Sequence, residues 1–221
     1  MVPARLGSQR LPEKNLRPLA GTPLVAWAIR KSLDSGVFDE VWVNSESEKF
    51  EQIARQEGAR FHHRPAELAS NTATSEDYVA EFLEHHDCDL LFQVHSIAPL
   101  LTANEVRDFV NAMRSSEADV QLSVVEEQIE CAYGDRPVNF GFRSKTNSQE
   151  LEPIQRVTWS ITGWRRETFL AAHREGRCAT YAGAVAFHPI SRLGGLIIKT
   201  DEDLRLAEAL FPLVLEERAN E

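Results

Sequence analysis

The 221-residue sequence lacks several features, and each absence removes a class of protein. It has only three cysteines, Cys88, Cys131 and Cys178, far apart and without a CxxC pair. That excludes a disulfide framework and the common zinc spacings, and the expectation is reduced, buried thiols. No apolar run approaches the roughly 20 residues of a membrane-spanning helix. No secretory leader is legible, because the first apolar residues run straight into Arg5, so the cytoplasm is the expected compartment. Excess positive charge is missing too: the formal net charge is −10. Nonspecific binding of nucleic acid needs a basic surface, so that class is excluded. No repeat or low-complexity linker breaks the chain, and its length suits one α/β domain with an ample core.

Strand and helix signals alternate through the first half. A helix is expected from a Thr22-Pro23 cap to Leu33, with Pro in its first turn. "DEVWVN" (39–44) reads as a strand, 45–57 as a helix and "ARFHH" as a short strand. Ser75 is placed to cap the helix "EDYVAEFLEHH". "DLLFQVH" (89–95) reads as a buried strand, 103–115 as a helix and "DVQLSVVEE" as a strand. From about 126 to 157 the pattern dissolves into Pro, Asn and Gly, which marks a lid or a subunit contact. "TWSITGW" and "AGAVAFH" read as strands around a helix ending at Gly176, and a last helix runs from Asp201 to Arg218. Such alternation predicts a Rossmann-like, mostly parallel sheet with helices on both faces.

Against the acidic background, the first fifteen residues, "MVPARLGSQRLPEKN", stand out. Arg5, Arg10 and Lys14 surround a Gly7-Ser8 turn that follows a strand signal. In open parallel sheets ligands bind beyond the carboxyl ends of strands. Gly7 permits a positive φ, and successive N–H groups around Gly7-Ser8 can form an anion nest. Arg5 and Arg10 offer planar forks to phosphate oxygens and Lys14 a point charge. The loop is neither a Walker loop nor the three-glycine dinucleotide turn, which removes an oxidoreductase reading.

"VPARLGSQRLPEKNL" resembles the signature of sugar-activating cytidylyltransferases, the CMP-acylneuraminate and CMP-KDO synthetases. The likeness continues through "RPAELASNTATSEDYV" and, more loosely, at "LLFQVHSIAPLL", "WRRETFL" and "KTDEDLRLAEAL". It implies a nucleotide-diphospho-sugar transferase-like domain over residues 1–221, a homodimer, CTP as substrate and an acidic sugar as acceptor. It also implies that Arg5, Ser8, Arg10 and Lys14 grip the triphosphate and that Asn15 helps read cytosine. Arg64 and Ser75 become further nucleotide contacts and Gln93 a contact of the sugar acid; His95, two residues further on the same strand face, is placed beside it as a substrate-binding residue and candidate general base. The alternatives are a surface salt bridge for Arg64, a helix cap for Ser75, and plain hydrogen bonding for Gln93 and His95.

The sequence departs from that family in four places. The late motif Asp-x-Asp-Thr-x-x-Asp, whose first two aspartates hold magnesium, is here Ile197, Ile198, Lys199, Thr200 and Asp203. The usual Mg2+ ligands are missing, and Lys199 is the residue that could stand in for the metal. A second reading is therefore a nucleotide-binding or regulatory relative without catalysis. "QVHSIAPLL" and "RVTWSITGW" alter the acceptor side. Finally, only Met1 and Val2 precede Pro3, so the chain starts upstream or its first strand is a stub that leaves neighbouring ladders and the phosphate loop poorly anchored.

Overall fold

Side chains alternate across a strand, and residues 90–94, LLFQV, use that alternation to make two cores. Leu91 packs with Val79, Phe82, Val120, Leu122 and Trp164 on one face. Phe92 and Val94 pack with Val25, Ile29, Val43, Phe109 and Met113 on the other.

The computed structural model describes residues 1–8 and 10–219. Its strands are β1 (Val2–Pro3), β2 (Pro18–Leu19), β3 (Thr22–Pro23), β4 (Trp42–Ser45), β5 (Arg60–His63), β6 (Leu90–Val94), β7 (Val120–Glu127), β8 (Ala132–Tyr133), β9 (Arg136–Pro137), β10 (Ile154–Arg165) and β11 (Val185–Pro189). Its helices are α1 (Leu24–Asp34), α2 (Glu48–Gln56), α3 (Ser75–His85), α4 (Ala103–Arg114), α5 (Arg166–Arg174) and α6 (Asp201–Ala219). No helix among the described residues is long and apolar enough to cross a membrane.

One ladder runs β5-β4-β1, all parallel, and another runs β11-β7-β10-β6. Backbone bonds join them: the Met1 amine donates to Phe92 O at 2.7 Å, and Val94 N–H to Met1 O at 3.0 Å. Only β10 runs against its neighbours β6 and β7, so the expected mostly parallel sheet is present. Gly163 of β10 lies where a Cβ would collide with the Met113 sulfur and the Phe92 ring, so glycine lets α4 close onto the sheet.

β1 has two residues, as the short run before the loop implies. The loop after it is nevertheless tethered, because Ala4 N–H continues the ladder to Asn44 O at 3.0 Å. A cavity of about 410 Å³ is lined by Met1, Trp42, Phe82, His86 and Leu91.

Three local expectations are corrected. Thr22 does not cap α1; it pairs with Leu19 in the hairpin β2–β3. Ala20 and Gly21 both have positive φ, the geometry that a two-residue hairpin turn requires. Ser75 does not cap α3 either. Thr74 does, through a reciprocal box with Asp77 that satisfies two orphan donors at once. None of the three thiols is buried: Cys88 and Cys131 are half-buried, and Cys178 is exposed with its Sγ 3.3 Å from Glu76 Oε1.

α6 closes the structure next to the opening loop. Leu204, Ala207 and Phe211 pack on Leu24 and Trp27, and the same cluster takes in Leu11 and Ile198. Between β7 and β10 the chain makes the hairpin β8–β9 and exposes Ile129, Tyr133, Val138 and Phe142.

Candidate active site

The opening loop leaves β1 at the carboxyl end of the parallel strands, where fixed dipoles and loops converge. Its geometry is set by Glu46, just past β4. Glu46 Oε1 accepts Leu6 N–H at 2.9 Å, and Oε2 accepts Arg64 Nη2 at 3.1 Å and the Ser45 hydroxyl at 3.2 Å. Arg64 also donates to Ala4 O at 2.9 Å, and its guanidinium lies 4.8 Å from the centre of the Tyr78 ring. Arg64 is thus buried with its charge shared between a carboxylate, a carbonyl and an aromatic face. Burial works to raise the Glu46 carboxyl, but the Leu6 N–H, its own backbone and Arg64 outweigh it and hold the group below the usual range.

Two of the loop's backbone donors are already engaged. Leu6 N–H is committed to Glu46, and Ser8 N–H closes a three-residue turn onto Leu6 O at 2.8 Å. Gly7 is not in the left-handed region; in this loop that conformation falls on Glu13, φ 47°.

Asn15 locks the loop's far end. Its Nδ2 donates to Arg5 O at 3.0 Å, and its Oδ1 accepts the Ser96 hydroxyl at 2.6 Å. Arg5 reaches across to Ala69 O and Ser70 O at 3.2 and 3.0 Å. Lys14 Nζ donates to Ile198 O at 3.2 Å, which ties the loop to the start of α6. The segment carrying His95 and Ser96 is held by Lys31, whose Nζ donates to Ala98 O at 2.7 Å.

Together these elements enclose a cavity of about 350 Å³. Arg5, Arg10, Lys14 and Arg64 line it, with Ser8, Asn15, Ser70, Asn71, Tyr78, His95 and Ser96. None of its described lining residues is Asp or Glu. Burial lowers the Lys14 pKa, Arg10 and Arg5 lower it further, and Asp203 opposes them more than the weaker charge of Lys199 assists. Burial and the Lys14 charge bring His95 down to about 4, so its imidazole is neutral at physiological pH. Its Nε2 is buried without a partner among the described residues.

The structure gathers Arg5, Ser8, Arg10, Lys14, Asn15, Arg64 and His95 around one cavity. It leaves Gly7, Ser75, Gln93 and Lys199 out of the wall. Ser75 is exposed on the first turn of α3. Gln93 is buried behind Tyr78 and donates to its hydroxyl at 3.3 Å. Lys199 is exposed beside the cavity, close enough for its charge to depress Lys14. Glu46, Tyr78 and Ser96 were not legible as site residues. Glu46 carried a signal, an acid directly after a strand at the same sheet edge as the basic loop. Tyr78 and Ser96 carried none, since their roles depend on which loop faces them.

A hard divalent cation does not fit this donor set. Magnesium carried by a nucleotide takes phosphate oxygens and waters together with one or two protein carboxylates, and no described carboxylate lines the cavity. Asp203 Oδ2 is taken by Lys199 N–H, Thr200 N–H and the Thr200 hydroxyl, all at 2.8–2.9 Å, at the start of α6. Asp201 pairs with Arg17 at 2.9 Å. No group of three or more metal-ligating side chains occurs among the described residues.

Comparison with known proteins adds a family. Residues 1–153 match the family described as cytidylyltransferase. N-acylneuraminate cytidylyltransferase A of Danio rerio is 30% identical over 179 residues, which is 79% of this chain and 41% of that protein. The 3-deoxy-manno-octulosonate cytidylyltransferase of Acidobacterium capsulatum is 30% identical over 236 residues, covering 96% of this chain and 95% of the other. The chain thus spans less than half of the Danio rerio relative but nearly all of the Acidobacterium one. A solved CMP:2-keto-3-deoxy-manno-octonic acid synthetase, complexed with CTP, superposes with a TM-score of 0.72 at 18% identity, covering 96% of this chain and 97% of that one. At that identity the superposition speaks for the fold.

Proposed function

Because the chain belongs to the cytidylyltransferase family, we propose that it transfers CMP from CTP to an acidic sugar and releases pyrophosphate. One observation carries this reading: a cavity at the carboxyl end of the parallel strands, lined by four cationic side chains and no described carboxylate. A sugar hydroxyl attacks the α-phosphorus, its proton departs, and the bond to the bridging oxygen of pyrophosphate breaks. Charge builds on phosphoryl oxygens, so catalysis consists of positioning and fixed positive charge. Arg5, Arg10 and Lys14 bind the triphosphate, and Arg64 holds the loop while lending charge. Ser8 faces the phosphates, and Asn15 with Ser96 shapes the nucleoside end. His95 adds a neutral imidazole to the cavity wall.

Gln93 acts through Tyr78 in this reading, and Lys199 adds charge from beside the cavity. Two relatives named for N-acylneuraminate and 3-deoxy-manno-octulosonate support a sugar acid as acceptor and favour transfer over a binding-only role. Residues 1–221 form one domain, and the 126–157 segment, with Tyr133 and Phe142 exposed, is the contact of a homodimer. Unpaired cysteines suit the reducing cytoplasm. The test is pyrophosphate release from CTP with a panel of acidic sugars. Turnover of at least one supports transfer, whereas CTP-induced thermal stabilisation without turnover of any would leave only binding.

A further inference from the structure

We infer that the cavity takes the triphosphate as the free anion and discriminates against its magnesium complex. The inference rests on the CTP reading above and extends it to the ionic form of the ligand.

The first ground is the donor set. Three acids near the loop hold structure. Glu46 clamps Leu6 N–H and Arg64, Asp203 caps α6, and Asp201 pairs with Arg17. Ile198 is fully buried in the α6 cluster and offers its carbonyl to Lys14. Ile197 packs against the α1/α4 core. None of these acids lines the cavity, so its described wall presents no carboxylate to a cation entering with the nucleotide.

The second ground is charge. A triphosphate at neutral pH carries about four negative charges. Four cationic side chains line the cavity, and Lys199 stands beside it. Magnesium on the phosphates cancels two of those charges and occupies the oxygens that arginine forks would otherwise take. Arg5, Arg10, Lys14 and Arg64 already crowd one cavity, which therefore resists further positive charge. A second cation carried in on the ligand meets the same repulsion, and no built ligand shell offsets it.

The experiment is calorimetric titration of the full chain with CTP, once in EDTA and once in saturating MgCl2, at matched ionic strength. Cytidine, which binds no magnesium, controls for screening. The expected result is about tenfold weaker CTP binding with magnesium and unchanged cytidine binding. A parallel titration with Mn2+ should show no protein-dependent change in water proton relaxation. Tighter CTP binding with magnesium, or Mn2+ relaxation enhanced on adding protein, would overturn this inference and leave the CTP reading standing. CTP binding absent in both conditions would overturn the two together.

Discussion

Glu46 and Arg64 meet at 3.1 Å through Oε2 and Nη2, and the arginine side chain is only 2% exposed. The pair joins the loops after β4, β5 and β1 into one unit, because Glu46 also holds Leu6 and Arg64 also holds Ala4. Removing one partner of a buried pair leaves the other uncompensated. Glu46→Ala is therefore expected to lower stability by about 3 kcal/mol, and Glu46→Gln by less because it keeps an acceptor for Leu6. Urea denaturation of both variants checks this. The sign in pH follows from the depressed carboxyl. Its contribution is present above the ordinary carboxylate range and is lost as pH falls through the folded-state value.

His95 sets a second pH dependence. Its folded pKa is about 4, against about 6.5 for a free imidazole. The unfolded chain takes the proton first, so stability falls as pH drops from about 6.5 toward about 4. The loss reaches at most about 3 kcal/mol, reduced by whatever solvent in the cavity returns to the ring. His95→Gln should flatten the thermal-stability profile across that window.

Arg10 is exposed to the cavity and is not itself part of the Glu46–Arg64 clamp. Arg10→Ala is expected to weaken CTP binding about tenfold and cytidine binding hardly at all. Calorimetry with both ligands separates the two, and equal losses would mean that the loop does not hold phosphates.

Lys14 links affinity to pH. Its charged form binds the anion, and its pKa is lowered by burial and by Arg10, Arg5 and Lys199. CTP affinity should therefore decline as pH rises through the lowered Lys14 value, before free lysine would titrate. Lys14→Met should bind more weakly throughout and lose that slope in a pH series of titrations.

The β8–β9 arm bears Tyr133, 85% exposed, and Phe142, 79% exposed. Large aromatic surface on a projecting segment favours association. Sedimentation velocity at micromolar concentration is expected to show a dimer, and Tyr133→Asp with Phe142→Asp a monomer. A wild-type monomer at those concentrations would remove the homodimer proposal.

The alternation of strands and helices was legible because each signal is local: apolar periodicity, caps and turns act within a few residues. The cap of α3 was misplaced by one residue because Thr74 and Ser75 are equally good capping types, and Asp77 decides between them by reaching back to Thr74. The hairpin β2–β3 was missed because its pairing needs two consecutive positive-φ residues, one of them Ala20, which composition alone does not announce.

By itself the chain of residues determined an acidic α/β protein with one cationic loop placed after its first strand. Those properties depend on short-range pattern and on net charge, which folding does not alter. Tertiary structure alone decided which cations share a cavity, that Glu46 holds the Leu6 N–H, and that Lys14 reaches the Ile198 carbonyl. Those outcomes join residues tens to almost two hundred positions apart, such as Lys14 and Ile198, and only packing of distant elements brings such groups within hydrogen-bond reach.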